Sequence, residues 1–155
     1  SYHVLVDADS VNPLVHPSWA AWADTTNNAH GMSVSAAVRA NDWLAMTPDR
    51  RRQVVINLAY GAADLVKTAV RDGLLDSPTP ARRITASEAI SGSRAGFYGH
   101  GDTNPGTRYD PGKDFDWNLF LSTYEAAIGG NGIIPVGNIT PTKRNLIPGV
   151  VGVEY

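Results

Sequence analysis

Residues 99–117 read GHGDTNPGTRYDPGKDFDW, from Gly99 to Trp117. His100 and Asp110 in this stretch are both metal-capable and lie ten positions apart. Gly101, Asn104, Pro105 and Gly106 lie between them and predict a tight loop rather than a helix. Pro111 and Gly112 then constrain the backbone immediately after Asp110. A loop that folds back on itself places an imidazole and a carboxylate on one ion. Zinc accepts both donors, at about 2.0–2.2 Å, and a catalytic zinc keeps three protein ligands plus water. On spacing alone, such a pair is more often part of a hydrogen-bonded turn.

On either side of this loop the chain alternates between strand and helix patterns. Tyr2 to Asp7 (YHVLVD) is a β-rich alternating run, and Met32 to Val38 (MSVSAAV) is a second. Asp7, Asp9, Ser10 and Asn12 carry turn chemistry, and Trp19–Asn28 has no sustained period and reads as loop. Thr47-Pro48-Asp49 opens a helix expected over Thr47–Leu75, an N-cap followed by proline at the first helical position. Val54, Val55, Leu58, Ala62, Leu65, Val66 and Ala69 fall on one face of it, and Gly73 is a plausible stop. Arg50, Arg51 and Arg52 in its first turn read as a solvated helix end, with contact to an anionic wall polymer as the functional alternative. Thr85 and Glu88 have capping-box spacing for a short helix over Thr85–Ile90. Ala95–Tyr98 predicts a strand leading into the glycine-rich loop. Phe115–Ile128 predicts a second amphipathic helix, with Trp117, Phe120, Leu121, Tyr124 and Ile128 along one side. From Gly129 to Tyr155 no helical period survives, and the segment reads as an extended tail or linker outside the core. Strands alternating with helices imply an α/β layer architecture, with strand order left open.

Composition bounds the function. The 155 residues (16.6 kDa) are enough for one domain with a real core, at 43% hydrophobic and 18% charged. Thirteen basic against fifteen acidic residues give a net charge of -2 and a pI near 6.0, which argues against a dedicated nucleic-acid partner. No apolar run suits a membrane span and no signal peptide is visible. With no cysteine, disulfides, thiolate metal sites and a cysteine nucleophile are excluded, so any metal depends on His, Asp and Glu. There are four histidines.

The 99–117 stretch closely resembles the second half of the zinc-dependent N-acetylmuramoyl-L-alanine amidases of the type 2 family, which includes bacteriophage endolysins and peptidoglycan recognition proteins. The shared pattern is a His, a short loop, Asp-Pro-Gly and an aromatic-led helix, here His100, Asp110-Pro111-Gly112 and Phe115-Asp116-Trp117. Upstream, Ser1-Tyr2-His3-Val4-Leu5-Val6-Asp7 is similar to the family's SYHxxID strand. Asn27-Asn28 matches its Asn-Asn pair, and Trp22 the aromatic of the preceding loop. The match runs from Ser1 to about Ile128. It implies a central mixed β-sheet flanked by helices, as in amidases and peptidoglycan recognition proteins.

The resemblance also implies a chemistry: hydrolysis of the amide between N-acetylmuramic acid and the L-alanine of the stem peptide, by a water that zinc activates. His100 and Asp110 would be metal ligands. Tyr2 and Arg108 would be catalytic, with Arg108 stabilising an oxyanion, and Trp22, Asn28 and His30 would contact substrate. The implied partner is bacterial peptidoglycan, with no nucleic acid and no membrane. The implied setting is a phage-encoded enzyme made in the host cytoplasm and acting on the cell wall. Two departures stand out. The family's third zinc ligand, a His on a strand one strand and one helix ahead of the SYH motif, has no counterpart, so the domain is expected to begin late, with the missing segment or further domains as partners. The Glu that follows the Asn-Asn pair on the next strand is replaced at the matching position by Ser35. The alternatives are a non-catalytic peptidoglycan-binding module or a virion structural protein with an amidase-like fold.

The remaining histidines carry bland expectations. His3 points away from Tyr2 across the strand and reads as structural. His16, beside Pro17, reads as surface loop. A turn is favoured for His30, and a satellite hydrophobic cluster is as good a reading of Trp19 and Trp22 as stacking on substrate.

Overall fold

The long helix starts where its cap predicts. Thr47 has extended backbone, and its hydroxyl accepts from the Arg50 N–H at 3.3 Å, with Pro48 as the first helical residue. In the computed structural model, which describes residues 2–24, 26–28, 30–130 and 150–154, this helix spans Pro48–Arg71. It ends before Leu75 because Gly73 turns left-handed (φ 68°), so that the Leu74 and Leu75 N–H groups fold back onto the Ala69 carbonyl. Every apolar position expected on its inner face is buried.

In chain order the elements are β1 (Val4–Val6), β2 (Val11–Pro13), β3 (Met32–Ala36), α1 (Ala40–Ala45), α2 (Pro48–Arg71), α3 (Ala86–Ser91), β4 (Gly96–Gly99), α4 (His100–Thr103), α5 (Trp117–Gly129) and β5 (Val150–Glu154). The strands form one mixed sheet in the order β2-β1-β3-β5-β4. β2 runs antiparallel to β1, and the other pairings are parallel. The expected α/β class with a central mixed sheet is therefore what the chain forms.

Outside the 99–117 stretch, three elements depart from the sequence reading. β2 and α1 were not expected; three and six residues are too short to display a period. β2 follows a turn in which Oδ1 of Asp7 accepts from the Asp9 and Ser10 N–H groups, and its Pro13 suits an edge strand. The third departure is larger. Residues 150–154, expected to belong to a tail outside the core, form the strand between β3 and β4, with Val151 and Val153 fully buried. The physical reason is that Val150-Val151-Gly152-Val153 is short and uninterrupted in apolar character, as a strand flanked on both sides by others must be. Of the rest of that expected tail, Gly129 and Gly130 close α5, while 131–149 and Tyr155 lie outside the described residues, as does Ser1.

Register sorts the sheet into two faces. Val4, Val6, Val34, Ala36, Phe97, Val151 and Val153 point into one core with α2 and α5. Phe97 meets Phe120 and Tyr124 edge-on at 5.2 and 4.6 Å, and the Tyr124 hydroxyl donates to the Thr79 carbonyl at 2.8 Å. The opposite face carries Leu5, Ser33, Ser35, Tyr98 and Gly152, and the loop after β2 covers part of it. Among the described residues no helix is long and apolar enough to cross a membrane.

Candidate functional site

His100 begins immediately after β4, on the face of the sheet turned away from α2. Its first four residues make one helical turn, α4, where a loop was expected. Gly99 N–H and Asp102 Oδ2 close that turn at 2.8 Å, which is why it forms despite two glycines. The chain then reverses at Asn104, whose carbonyl accepts from the Thr107 and Arg108 N–H groups. It returns along its own path until the Gly101 N–H donates to the Asp110 carbonyl at 2.7 Å. This return needs glycine. A Cβ on Gly101 would sit 3.1 Å from the Arg108 and Tyr109 backbone, and one on Gly99 would sit 2.6 Å from Cδ of Pro111.

The fold-back brings the two metal-capable residues together as the sequence suggested. Nδ1 of His100 lies 3.4 Å from Oδ2 of Asp110, and both residues are buried, at 4% and 9% exposure. Oδ2 of Asp110 accepts no hydrogen bond from any described residue. A buried carboxylate oxygen without a donor is costly, and a cation beside it removes the cost. An imidazole nitrogen and a carboxylate oxygen side by side also form a donor pair suited to zinc. The pair therefore fits the implied metal as far as it goes. Among the described residues no group of three His, Asp or Glu side chains is assembled.

Tyr2, Ser35, Arg39, Arg108 and Asp110 line one open cleft beside this pair. Tyr2 and Arg108 thus share a cavity wall with Asp110. Arg108 and its neighbour Tyr109 are exposed on the rim. A second, narrow hollow is lined by His100 together with Ser33, Tyr98, Asn28 and Gly152. No family model, curated protein or solved structure matches this chain.

The residues expected to contact substrate are more scattered. Asn28 braces its own loop, its Oδ1 accepting from the Ala23 and Asp24 N–H groups at 2.7 and 2.8 Å. His30 is exposed in a turn closed by its N–H to the Asn27 carbonyl. Trp22 is 80% exposed and Trp19 57%. Neither Trp22 nor His30 is among the residues lining the two hollows.

The structural reading of His3 matches its surroundings. It is buried, and Nε2 faces the Trp19 carbonyl at 3.0 Å, which can only accept, so Nε2 carries the proton. Nδ1 then accepts from the Ser33 N–H at 3.1 Å. His16, expected on the surface, is instead buried, with Nε2 2.9 Å from Oδ2 of Asp72 and Nδ1 2.8 Å from the Ser18 hydroxyl. The end of α2 supplies that carboxylate from 56 positions away, which no local pattern could announce.

One cluster escaped the sequence reading. Asp24 is buried, and its carboxylate accepts from the Tyr98 hydroxyl (2.8 Å), the Thr103 hydroxyl (3.0 Å), Asn104 Nδ2 (2.9 Å) and the Thr26 N–H (3.0 Å). Burial pushes its pKa up, but the bonds from Tyr98, Asn104, Thr26 and Thr103 outweigh that and hold it below its ordinary value. The carboxylate stays charged and pins the loop after β2 to α4, the turn that carries His100. The signal available in the sequence was weak: an Asp three positions before an Asn-Asn pair.

Proposed function

We propose that the chain is a zinc-dependent N-acetylmuramoyl-L-alanine amidase with a fold of the type 2 amidase and peptidoglycan recognition protein kind. It hydrolyses the bond between muramic acid and the first alanine of the stem peptide. The observation that carries this reading is the buried His100–Asp110 pair at 3.4 Å, opening beside a cleft that Tyr2 and Arg108 also line.

His100 and Asp110 would hold the zinc, which would supply a water with its pKa lowered to about 7. The chain's own groups do the rest. Arg108 keeps its positive charge at any relevant pH and stands on the cleft rim, where it stabilises the negative charge that grows on the attacked carbonyl oxygen. Tyr2 offers a phenolic O–H on the same wall to orient the attacking water or to hold the tetrahedral oxygen. Trp19 and Trp22 present exposed rings able to stack on a sugar or peptide face. The setting that goes with this reading is a phage lytic enzyme acting on the wall of its host.

The test is release of stem peptides from purified peptidoglycan by the zinc-supplemented chain. New alanine amino groups without new reducing sugar ends are expected, and His100→Ala and a chelator both abolish release. Binding to the walls with no release would replace the enzyme reading with that of a recognition module.

A further inference from the structure

α4, the turn that carries His100, is four residues long and includes Gly101, so it has neither the length nor the helix propensity to hold itself. Asp24, in the loop between β2 and β3, holds it from outside. Oδ2 of Asp24 accepts from the Tyr98 hydroxyl at 2.8 Å and from the Thr103 hydroxyl at 3.0 Å. Its Oδ1 accepts from Asn104 Nδ2 at 2.9 Å and from the Thr26 N–H at 3.0 Å. The chain is thus tied to one carboxylate on both sides of His100, at Tyr98 before it and at Thr103 and Asn104 after it. The Thr103 hydroxyl also lies 3.1 Å from the His100 carbonyl, but it has a single proton, and the charged oxygen is the stronger acceptor. Asn104 is in turn the residue at which the chain reverses. Its carbonyl accepts from the Thr107 and Arg108 N–H groups, and that return brings Asp110 beside His100. Asp24 lines the hollow it shares with His100 and not the cleft that Asp110 lines. With donors on both of its oxygens, it is a brace and not a further ligand.

We infer that Asp24 is a positioning residue for the metal pair: bonded on both sides of His100 and at the Asn104 turn, its carboxylate fixes where α4 presents the imidazole and where the returning loop presents Asp110. This rests on the zinc reading of the site, and Asp24 itself touches neither metal nor substrate. Its charge suits it to the task, because hydrogen bonds to an ionised carboxylate are roughly twice as strong as neutral ones. An asparagine at this position keeps the shape but must aim its amide NH2 at one pair of donors. The Tyr98 and Thr103 hydroxyls can rotate to accept it, yet every bond of the brace then loses its charge.

The test is calorimetric titration of the metal-free full chain with zinc alone, repeated with cobalt(II), whose visible absorption reports coordination geometry. The unaltered chain binds zinc and His100→Ala does not, which locates the ion. Asp24→Asn weakens binding about 10–100-fold, the range for an outer partner of a metal ligand, and alters the cobalt spectrum. Thr103→Val also weakens binding, and Thr103→Ser, which keeps the hydroxyl, restores it. Tyr124→Phe is the control. It removes a buried hydrogen bond, to the Thr79 carbonyl, in the core on the other face of the sheet. It lowers stability without moving zinc affinity or cobalt spectrum, which separates a displaced ligand from a weakened fold. Affinity and spectrum unchanged in Asp24→Asn, or affinity lost equally in Tyr124→Phe, overturn the inference and leave the zinc reading standing. If Asp24→Asn does not fold, the Thr103 pair decides, and Thr103→Val binding as tightly as the unaltered chain overturns the inference. Zinc binding that is absent from the unaltered chain, or that survives His100→Ala, overturns both.

Discussion

The Tyr98 hydroxyl donates to Oδ2 of Asp24 at 2.8 Å, joining residues 74 positions apart in a site where both side chains are buried. Tyr98 stands on β4 one residue before Gly99 and two before His100, so this bond ties the end of β4 to the loop that covers it.

Tyr98→Phe therefore removes a donor from a buried carboxylate, and a loss of about 1–3 kcal/mol is expected. The pH dependence follows from the sign of the shift. The pKa of Asp24 is lowered on folding from its ordinary 3.8, so its stabilising contribution is present above about pH 4. That contribution is lost as pH falls through the still lower folded value. Urea midpoints measured between about pH 3 and 7 should fall at the acid end, and Asp24→Asn should flatten part of that fall. An unchanged profile in Asp24→Asn would count against a charged Asp24.

Gly99→Ala tests the fold-back of the loop. Gly99 has φ −85° and ψ 147°, a conformation any residue adopts, so the effect is purely steric. The new methyl would sit 2.6 Å from Cδ of Pro111, a ring atom with little freedom to move. A loss of about 1–3 kcal/mol in stability is expected from the overpacking, together with weakened zinc binding as Asp110 is pushed from His100. Thermal unfolding and calorimetry on the same sample measure the two effects. Full zinc affinity would mean that the loop tolerates the displacement.

A chain ended at residue 149 should lose cooperative unfolding. It removes the strand between β3 and β4, leaving both with open edges inside the sheet, and it strips Val151 and Val153 from the core. Each buried valine contributes about 1.5–3 kcal/mol, a large share of a typical domain's 5–15 kcal/mol. Val153→Asp should do the same at a single position. Circular dichroism on heating distinguishes a lost transition from a lowered one, and an intact transition in the shortened chain would remove β5 from the fold.

Arg108→Ala and Tyr2→Phe separate catalysis from metal binding. Neither residue belongs to the proposed ligand set, so both variants should keep their zinc. Loss of the Arg108 charge should lower kcat about 10²–10³-fold, the usual effect of removing one oxyanion donor. Loss of the Tyr2 hydroxyl should lower it about 10²-fold or more. Steady-state kinetics on soluble muropeptides supply the comparison. Rates unchanged by both substitutions would remove these residues from the mechanism.

Local patterns were enough wherever the physics is local. Thr47-Pro48 announced the start of α2, the Thr85–Glu88 spacing announced a capping box that forms with both of its bonds, and the buried stripe from Val54 to Ala69 was legible from its period. Glycine and proline between His100 and Asp110 allowed a loop that folds back, but it was the resemblance of the 99–117 stretch, not its spacing, that favoured bringing the two side chains together. What stayed hidden depends on partners distant in sequence: Asp72 for His16, Tyr98 for Asp24, and two flanking strands for Val151 and Val153. A four-residue apolar run carries no period that separates a strand inside the sheet from a tail.

By itself, then, the sequence determined the α/β class and the helices with caps at Thr47 and Thr85, since each follows from the backbone preferences of neighbouring residues. Only the tertiary structure decided that residues 150–154 lie inside the sheet, between β3 and β4. Parallel pairing is set by the burial of whole faces and by register between strands, and no residue carries that information alone.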